Sequence, residues 1–161
     1  PGHARHHFCV YDPTSRGIFT GDTFGLSYPP LTTVNGPFIC PTTTPVQFDP
    51  PALKASIRTL LALKPERIYL THYGMVENPQ PLGERLLTMV DDYVALAETV
   101  AVTSDADALE KALMVAMREY LFRSAREHGC EMSDEQLDAV LGLDIQLNSQ
   151  GLAVWLQSRS R

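Results

Sequence analysis

The spacing of apolar positions changes once along the chain. Over residues 7–12, HFCVYD, Phe8 and Val10 alternate with Cys9 and Tyr11, a two-residue period that predicts a strand. PTSRG supplies turn chemistry after Asp12, and GIFTGD at 17–22 predicts a second strand, most simply antiparallel to the first. Residues 23–48 are rich in Thr, Pro and Gly and hold no sustained period. A loop this long inside one domain is either functional or a wrong assignment. At FDPPALKASIRTLLALKP helical spacing takes over: Asp49 is placed to cap, Pro50 suits the first helical position, and Leu53, Ile57, Leu60 and Leu61 share one face. Pro65 ends that helix, and RIYLTH at 67–72 reads as a strand ending on His72.

Beyond Pro79 only helices are predicted. Leu82, Leu86, Met89, Val90, Tyr93 and Leu96 or Ala97 recur at helical spacing. ADALEKALMVAMREYLFRSAREHG, residues 106–129, carries a stripe of Leu109, Leu113, Met117, Tyr120 and Leu121 and stops at Gly129. Ser133 and Gln136 have capping-box spacing for a helix around DEQLDAVLG, and a last short helix is predicted near 150–158 with Leu152, Trp155 and Leu156. No internal repeat is present.

Composition sharpens this division. With 161 residues, 44% of them hydrophobic, the chain can bury one core, or one core with a small appendage. No apolar run approaches the roughly 18 residues of a membrane span. Residues 1–76 carry six Lys/Arg against four Asp/Glu, whereas residues 77–161 carry seven against fifteen, so the charge passes from +2 to −8 where the pattern changes. An acidic second half without a basic stripe argues against a nucleic-acid partner. Cys9, Cys40 and Cys130 are odd in number and widely spaced, which argues against a disulfide framework and for a reducing, cytoplasmic setting. Each reads as a small buried residue.

Candidate chemistry sits at the strand ends. PGH places His3 at the entrance of the first strand, TGDTFG places Asp22 at the exit of the second, and LTHYG places His72 at the exit of the third. Glycines beside each allow close backbone packing, and strand ends that open on one edge of a sheet can converge. Two imidazoles and a carboxylate suit zinc, iron or manganese. Singly, a His at a strand end or a Gly-Asp pair is an ordinary structural feature; the signal lies in their joint occurrence. Phe24 and Tyr28, in the loop that leaves the Asp22 turn, are candidates to line a substrate mouth. His128, beside Gly129, reads as a surface residue at a helix C-terminus.

On these segments the sequence resembles the metallo-β-lactamase fold hydrolases, the superfamily that includes glyoxalase II. PGHARHH is similar to that family's T-P-x-H-x-x-x-H segment, FTGDTFG to its G-D turn and LTHYG to its final His turn, a resemblance covering roughly residues 1–76. It implies an α/β fold: the C-terminal half of a metallo-β-lactamase αββα sandwich over residues 1–102, followed by a helical C-terminal extension over 103–161. It further implies His3 as a ligand of one metal, Asp22 as the catalytic carboxylate bridging two metals, and His72 as a ligand of the second. His7 would be a supporting histidine that does not touch metal. No role is carried onto Arg5, His6 or Cys40.

The resemblance also sets expectations for activity. Two divalent ions, zinc first with iron or manganese as alternatives, would bind a hydroxide of lowered pKa that attacks an ester, thioester or related bond of a small-molecule substrate. The family's His-x-His-x-Asp-His motif, which supplies most of the remaining ligands and normally lies upstream, does not occur in these 161 residues. Two protein ligands per ion fall short of the usual three for a catalytic zinc. The chain by itself is therefore expected to hold metal poorly and to be inactive. The implied partners are the N-terminal half of the parent domain and a second copy of the chain, meeting an apolar sheet face with Phe8, Val10, Ile18, Ile68 and Leu70 as candidates; neither nucleic acid nor membrane is expected. The competing reading is a non-catalytic interaction module in which the helical extension docks a partner and the ligand-like residues are relics.

Overall fold

Four short strands form one sheet in the computed structural model, which describes residues 1–43, 47–104 and 108–159. Strands β1 (Val10–Asp12) and β2 (Gly17–Phe19) make the antiparallel hairpin predicted around PTSRG. Its turn is held by the Asp12 carboxylate, which accepts from Thr14 N at 3.0 Å and from Ser15 Oγ at 2.6 Å. Strand β3 (Arg67–Tyr69) lies parallel to β2 after a crossover through helix α1 (Pro50–Ala62). Strand β4 (Met75–Glu77) returns antiparallel to β3 and was not anticipated, because three residues are too short to show a period.

The register divides the sheet into two faces. Ile18, Ile68 and Val76 stand opposite one another and are buried, whereas Val10, Phe19, Tyr69 and Met75 form the adjacent row. Side chains alternate along a strand, so these rows point to opposite sides. Val10, Phe19 and Met75 are 50%, 51% and 45% exposed. The expected uncovered face is thereby corrected: Ile18, Ile68 and Leu70 are buried by the chain itself, Phe8 and Val10 are exposed, and Phe19, Tyr69 and Met75 complete the outer row.

Three long helices follow, α2 (Pro79–Thr103), α3 (Leu109–Glu127) and α4 (Asp134–Arg159). The caps are those the sequence suggests. Asp49 accepts from Ala52 N at 3.0 Å, and Ser133 and Gln136 form a reciprocal capping box, with Ser133 N donating to Gln136 Oε1 at 2.9 Å and Gln136 N to Ser133 Oγ at 3.3 Å. Residues 106 and 107 of the anticipated third helix lie outside the described residues. His128, taken as a surface residue, is instead buried, its Nε2 bonded to Gly36 O at 2.9 Å.

Two expectations about irregularity fail for the same reason, that tertiary packing overrides local signal. The anticipated loop at 23–48 holds two 3-10 turns, Gly21–Phe24 and Pro29–Leu31, and a bridge between Leu26 and Cys40, and it buries Phe24, Leu31, Phe38, Ile39 and Cys40. The two predicted C-terminal helices are one continuous 26-residue helix, α4, which runs through Gly142 and Gly151. At Gly151 the absence of a side chain is required: a Cβ there would lie 1.5 Å from the carbonyl oxygen of Thr43. That glycine marks a backbone contact rather than a helix end.

One buried apolar cluster runs through Ile57 of α1, Tyr93 of α2, Met117 and Leu121 of α3 and Leu141 and Leu152 of α4. Cys40 and Cys130 are buried and Cys9 half-buried, all as free thiols. Among the described residues no helix is long and apolar enough to cross a membrane.

Candidate metal centre

Asp22 and His72 meet because β2 and β3 are parallel neighbours, whose C-terminal ends open on the same edge of the sheet. One bond beyond the strands, Thr20 N to Tyr69 O at 3.2 Å, extends the pairing. The chain then leaves β2 in the 3-10 turn that carries Asp22, closed by Gly25 N donating to Asp22 O at 3.0 Å. It leaves β3 through Leu70 into the turn that carries His72, closed by Leu70 N donating to Gly74 O at 3.0 Å.

His3 arrives by a different route from the one anticipated. It lies seven residues before β1, docked on the start of α1 rather than at the strand itself. Gly2, at φ +115°, packs so closely that a Cβ would stand 2.2 Å from Leu53 N, and Asp49 N donates to Gly2 O at 2.8 Å. The His3 ring is buried, with Nδ1 3.2 Å from the carbonyl oxygen of Thr42. A carbonyl can only accept, so Nδ1 carries the proton and Nε2 is turned toward Asp22, the arrangement by which a backbone oxygen fixes the tautomer of a metal-binding histidine.

His3 and His72 face the Asp22 carboxylate from two sides. His3 Nε2 stands 3.5 Å from Asp22 Oδ2, and His72 Nε2 stands 3.7 Å from Asp22 Oδ1. Both separations are long for hydrogen bonds. Ligand atoms held about 2.0–2.1 Å from a shared tetrahedral ion stand about 3.3–3.5 Å apart, close to what is seen. Asp22 Oδ1 is buried and accepts no hydrogen bond. A buried carboxylate oxygen in that condition fits a cation.

His7 is brought further in than its expected supporting place. Its ring lies 4.7 Å from that of His3, and His3, His7 and Asp22 each offer a ligand atom within 4.8 Å of the others. Its Nδ1 is buried without a hydrogen-bond partner. Burial, and then the neighbouring His3, hold the His7 imidazole below its ordinary pKa, with Asp22 opposing. These surroundings favour the neutral imidazole of His7 over the charged one. His72, by contrast, is about half exposed.

The two loop aromatics are placed differently from a substrate mouth. Phe24 is fully buried in the apolar core. Tyr28 is buried as well; its hydroxyl donates to the Asp144 carboxylate of α4, and its ring packs 4.4 Å from that of Tyr73. Burial, and then the Asp144 carboxylate, push the Tyr28 phenol above its ordinary pKa.

Comparison with known families matches the first part of the chain. Residues 1–72, a stretch that ends on His72, match the family model of the metallo-beta-lactamase superfamily. The four-stranded sheet with its helices is α/β, an arrangement consistent with a fragment of the metallo-beta-lactamase fold followed by a helical extension. Searches of the curated proteins and of the solved structures give no significant match.

Proposed function

We propose that this chain is the C-terminal part of a metal-dependent hydrolase of the metallo-β-lactamase superfamily, acting on an ester, thioester or related bond of a small molecule. The observation that carries the proposal is the division of one carboxylate between two histidines, Oδ2 facing His3 and Oδ1 facing His72. A carboxylate so placed can bridge two ions. Bound there, a pair of divalent ions, zinc by preference, supplies the Lewis acidity that brings a water pKa toward neutrality and polarises a carbonyl.

The chain's own residues hold the geometry for this. Thr42 O orients His3, the Asp22 turn presents both carboxylate oxygens, and His72 stands at the exposed side, where a substrate can arrive. His7 contributes a neutral imidazole beside His3 and Asp22. The remaining ligands belong to a preceding half of the domain, and the half-exposed row Val10, Phe19 and Met75 is the face that half would cover. Free thiols at Cys9, Cys40 and Cys130 suit a cytoplasmic setting.

The test is hydrolysis of thioester and lactone probes by the zinc-loaded protein joined to its preceding half. Activity should vanish with chelator and in His3→Ala and His72→Ala. Hydrolysis that survives both treatments contradicts the proposal.

The outer sheet row gives a second expectation. Covering a half-exposed Phe, Val or Met returns about 1 kcal/mol per residue, so the isolated chain should associate through this face. Size exclusion with light scattering should give a mass above 17.8 kDa, falling to that of a monomer in Phe19→Glu. A monomeric unsubstituted chain contradicts this use of the face.

A further inference from the structure

Three residues of α4, Asp144, Asn148 and Gly151, repeat at four and three positions and so share one helix face. All three are buried; Asp144 contacts Tyr28, and Asn148 and Gly151 contact residues 41–43, segments that in turn touch Tyr73 and His3. Asp144 accepts the Tyr28 hydroxyl, and the Tyr28 ring packs on Tyr73, the residue directly after His72. Tyr73 adopts φ +69°, a left-handed conformation that costs a residue with a side chain about 1–2 kcal/mol and persists only where its surroundings hold it. The turn around it is closed by Leu70 N donating to Gly74 O, and the Tyr28 ring packs on its side chain.

The second line runs to His3. Asn148 Oδ1 accepts from Thr43 N at 2.7 Å and from Thr43 Oγ1 at 3.0 Å, while its Nδ2 donates to Pro41 O at 3.5 Å. Gly151 lets the Thr43 backbone lie against the helix. Between Pro41 and Thr43 sits Thr42, whose carbonyl oxygen fixes the His3 tautomer.

We infer that this face of α4 is the foundation of the metal centre: Asp144 positions His72 through Tyr28 and Tyr73, and Asn148 positions His3 through Thr42. The helical extension is then part of the site's construction rather than an appendage. These are positioning residues, because neither side chain is among the ligand-bearing groups. The inference rests on the proposed metal function and adds to it the residues that set ligand geometry.

The experiment titrates the protein joined to its proposed preceding half with Co(II), reading affinity and the visible d–d spectrum, in Asp144→Ala, Asn148→Ala, Tyr28→Phe and the conservative Asp144→Asn. Long-range ¹⁵N spectra of the metal-free protein report the histidine tautomers in parallel. All readings are taken below each variant's unfolding midpoint. Asp144→Ala and Asn148→Ala should weaken Co(II) binding about 10–100-fold and shift the spectrum, as loss of groups that support ligands does. Asp144→Asn, which retains an acceptor for Tyr28, should recover most of the affinity. Asn148→Ala should also release His3 from its single tautomer.

Tyr28→Phe keeps the ring and loses only the hydroxyl, so it tests the Asp144 line even where an alanine variant fails to fold. Unchanged Co(II) affinity and spectrum in the folded variants overturn the inference. Failure of the unsubstituted protein to bind Co(II) overturns the metal function instead, and an unmoved His3 tautomer in Asn148→Ala then removes the structural line as well.

Discussion

Replacing Asp22 by alanine is expected to weaken metal binding by more than about a hundredfold, since loss of a residue that merely supports a ligand already costs 10–100-fold. Both candidate histidines face this one carboxylate, so its removal takes a ligand from each side at once. Asp22→Asn should fail nearly as fully, because it keeps the shape and loses the charge. Metal content by mass spectrometry, and hydrolysis, both in the protein joined to the preceding half proposed for it, check both variants. Full metal retention in Asp22→Ala would mean that Asp22 is not the shared ligand.

A comparable loss, in stability rather than chemistry, is expected from Gly151→Ala. The added Cβ would lie 1.5 Å from Thr43 O and 2.6 Å from Thr43 C, and these are backbone atoms that cannot swing aside. Either α4 shifts or the 41–43 segment does, at a cost of about 3 kcal/mol by the usual measure of overpacking. Gly142, in the same helix, is the control. A Cβ there meets nothing within 4 Å, so Gly142→Ala should stabilise the protein by about 1 kcal/mol through helix propensity alone. Urea denaturation of the two variants measures both effects. Equal stabilities would show that α4 does not approach Thr43 as closely as described.

The same pair of glycines explains part of what could be read from the sequence. The helical pattern from Pro50 to Leu61 and from Pro79 to Ala97 declares itself because apolar positions repeat over several turns, with an Asp49 cap at the start of the first. In α4 the pattern is interrupted. The buried stripe runs Leu137, Leu141, Asp144, Asn148, Leu152, with two polar residues in core positions and a glycine beside them, and so reads as two short helices. The signal that could have found these residues is that interruption itself: a polar side chain at an apolar position of a long helix needs a buried partner. Those partners, Tyr28 and Thr43, lie more than a hundred residues away in sequence.

The candidates were legible because His3 and Asp22 directly follow a glycine, His72 lies two residues before Gly74, and each sits in a short segment that resembles a family motif. Their convergence at one sheet edge was an expectation, but the route to it was not legible, since it depends on the parallel pairing of β2 with β3 and on the docking of residues 1–3 against α1. The loop at 23–48 shows the limit of periodicity. Among its described residues the apolar ones fill a core without regular strands or long helices, so no spacing announces that Phe24, Leu31 and Phe38 are buried.

The most direct measurement is an anomalous difference map at the zinc edge from crystals of the zinc-loaded protein joined to its preceding half. The expected result is density within about 2.0–2.2 Å of His3 Nε2, of His72 Nε2 and of both Asp22 oxygens, the usual zinc–ligand lengths. Zinc bound at other residues, or at His3 and His7 with His72 left free, would contradict a shared Asp22 bridge between His3 and His72.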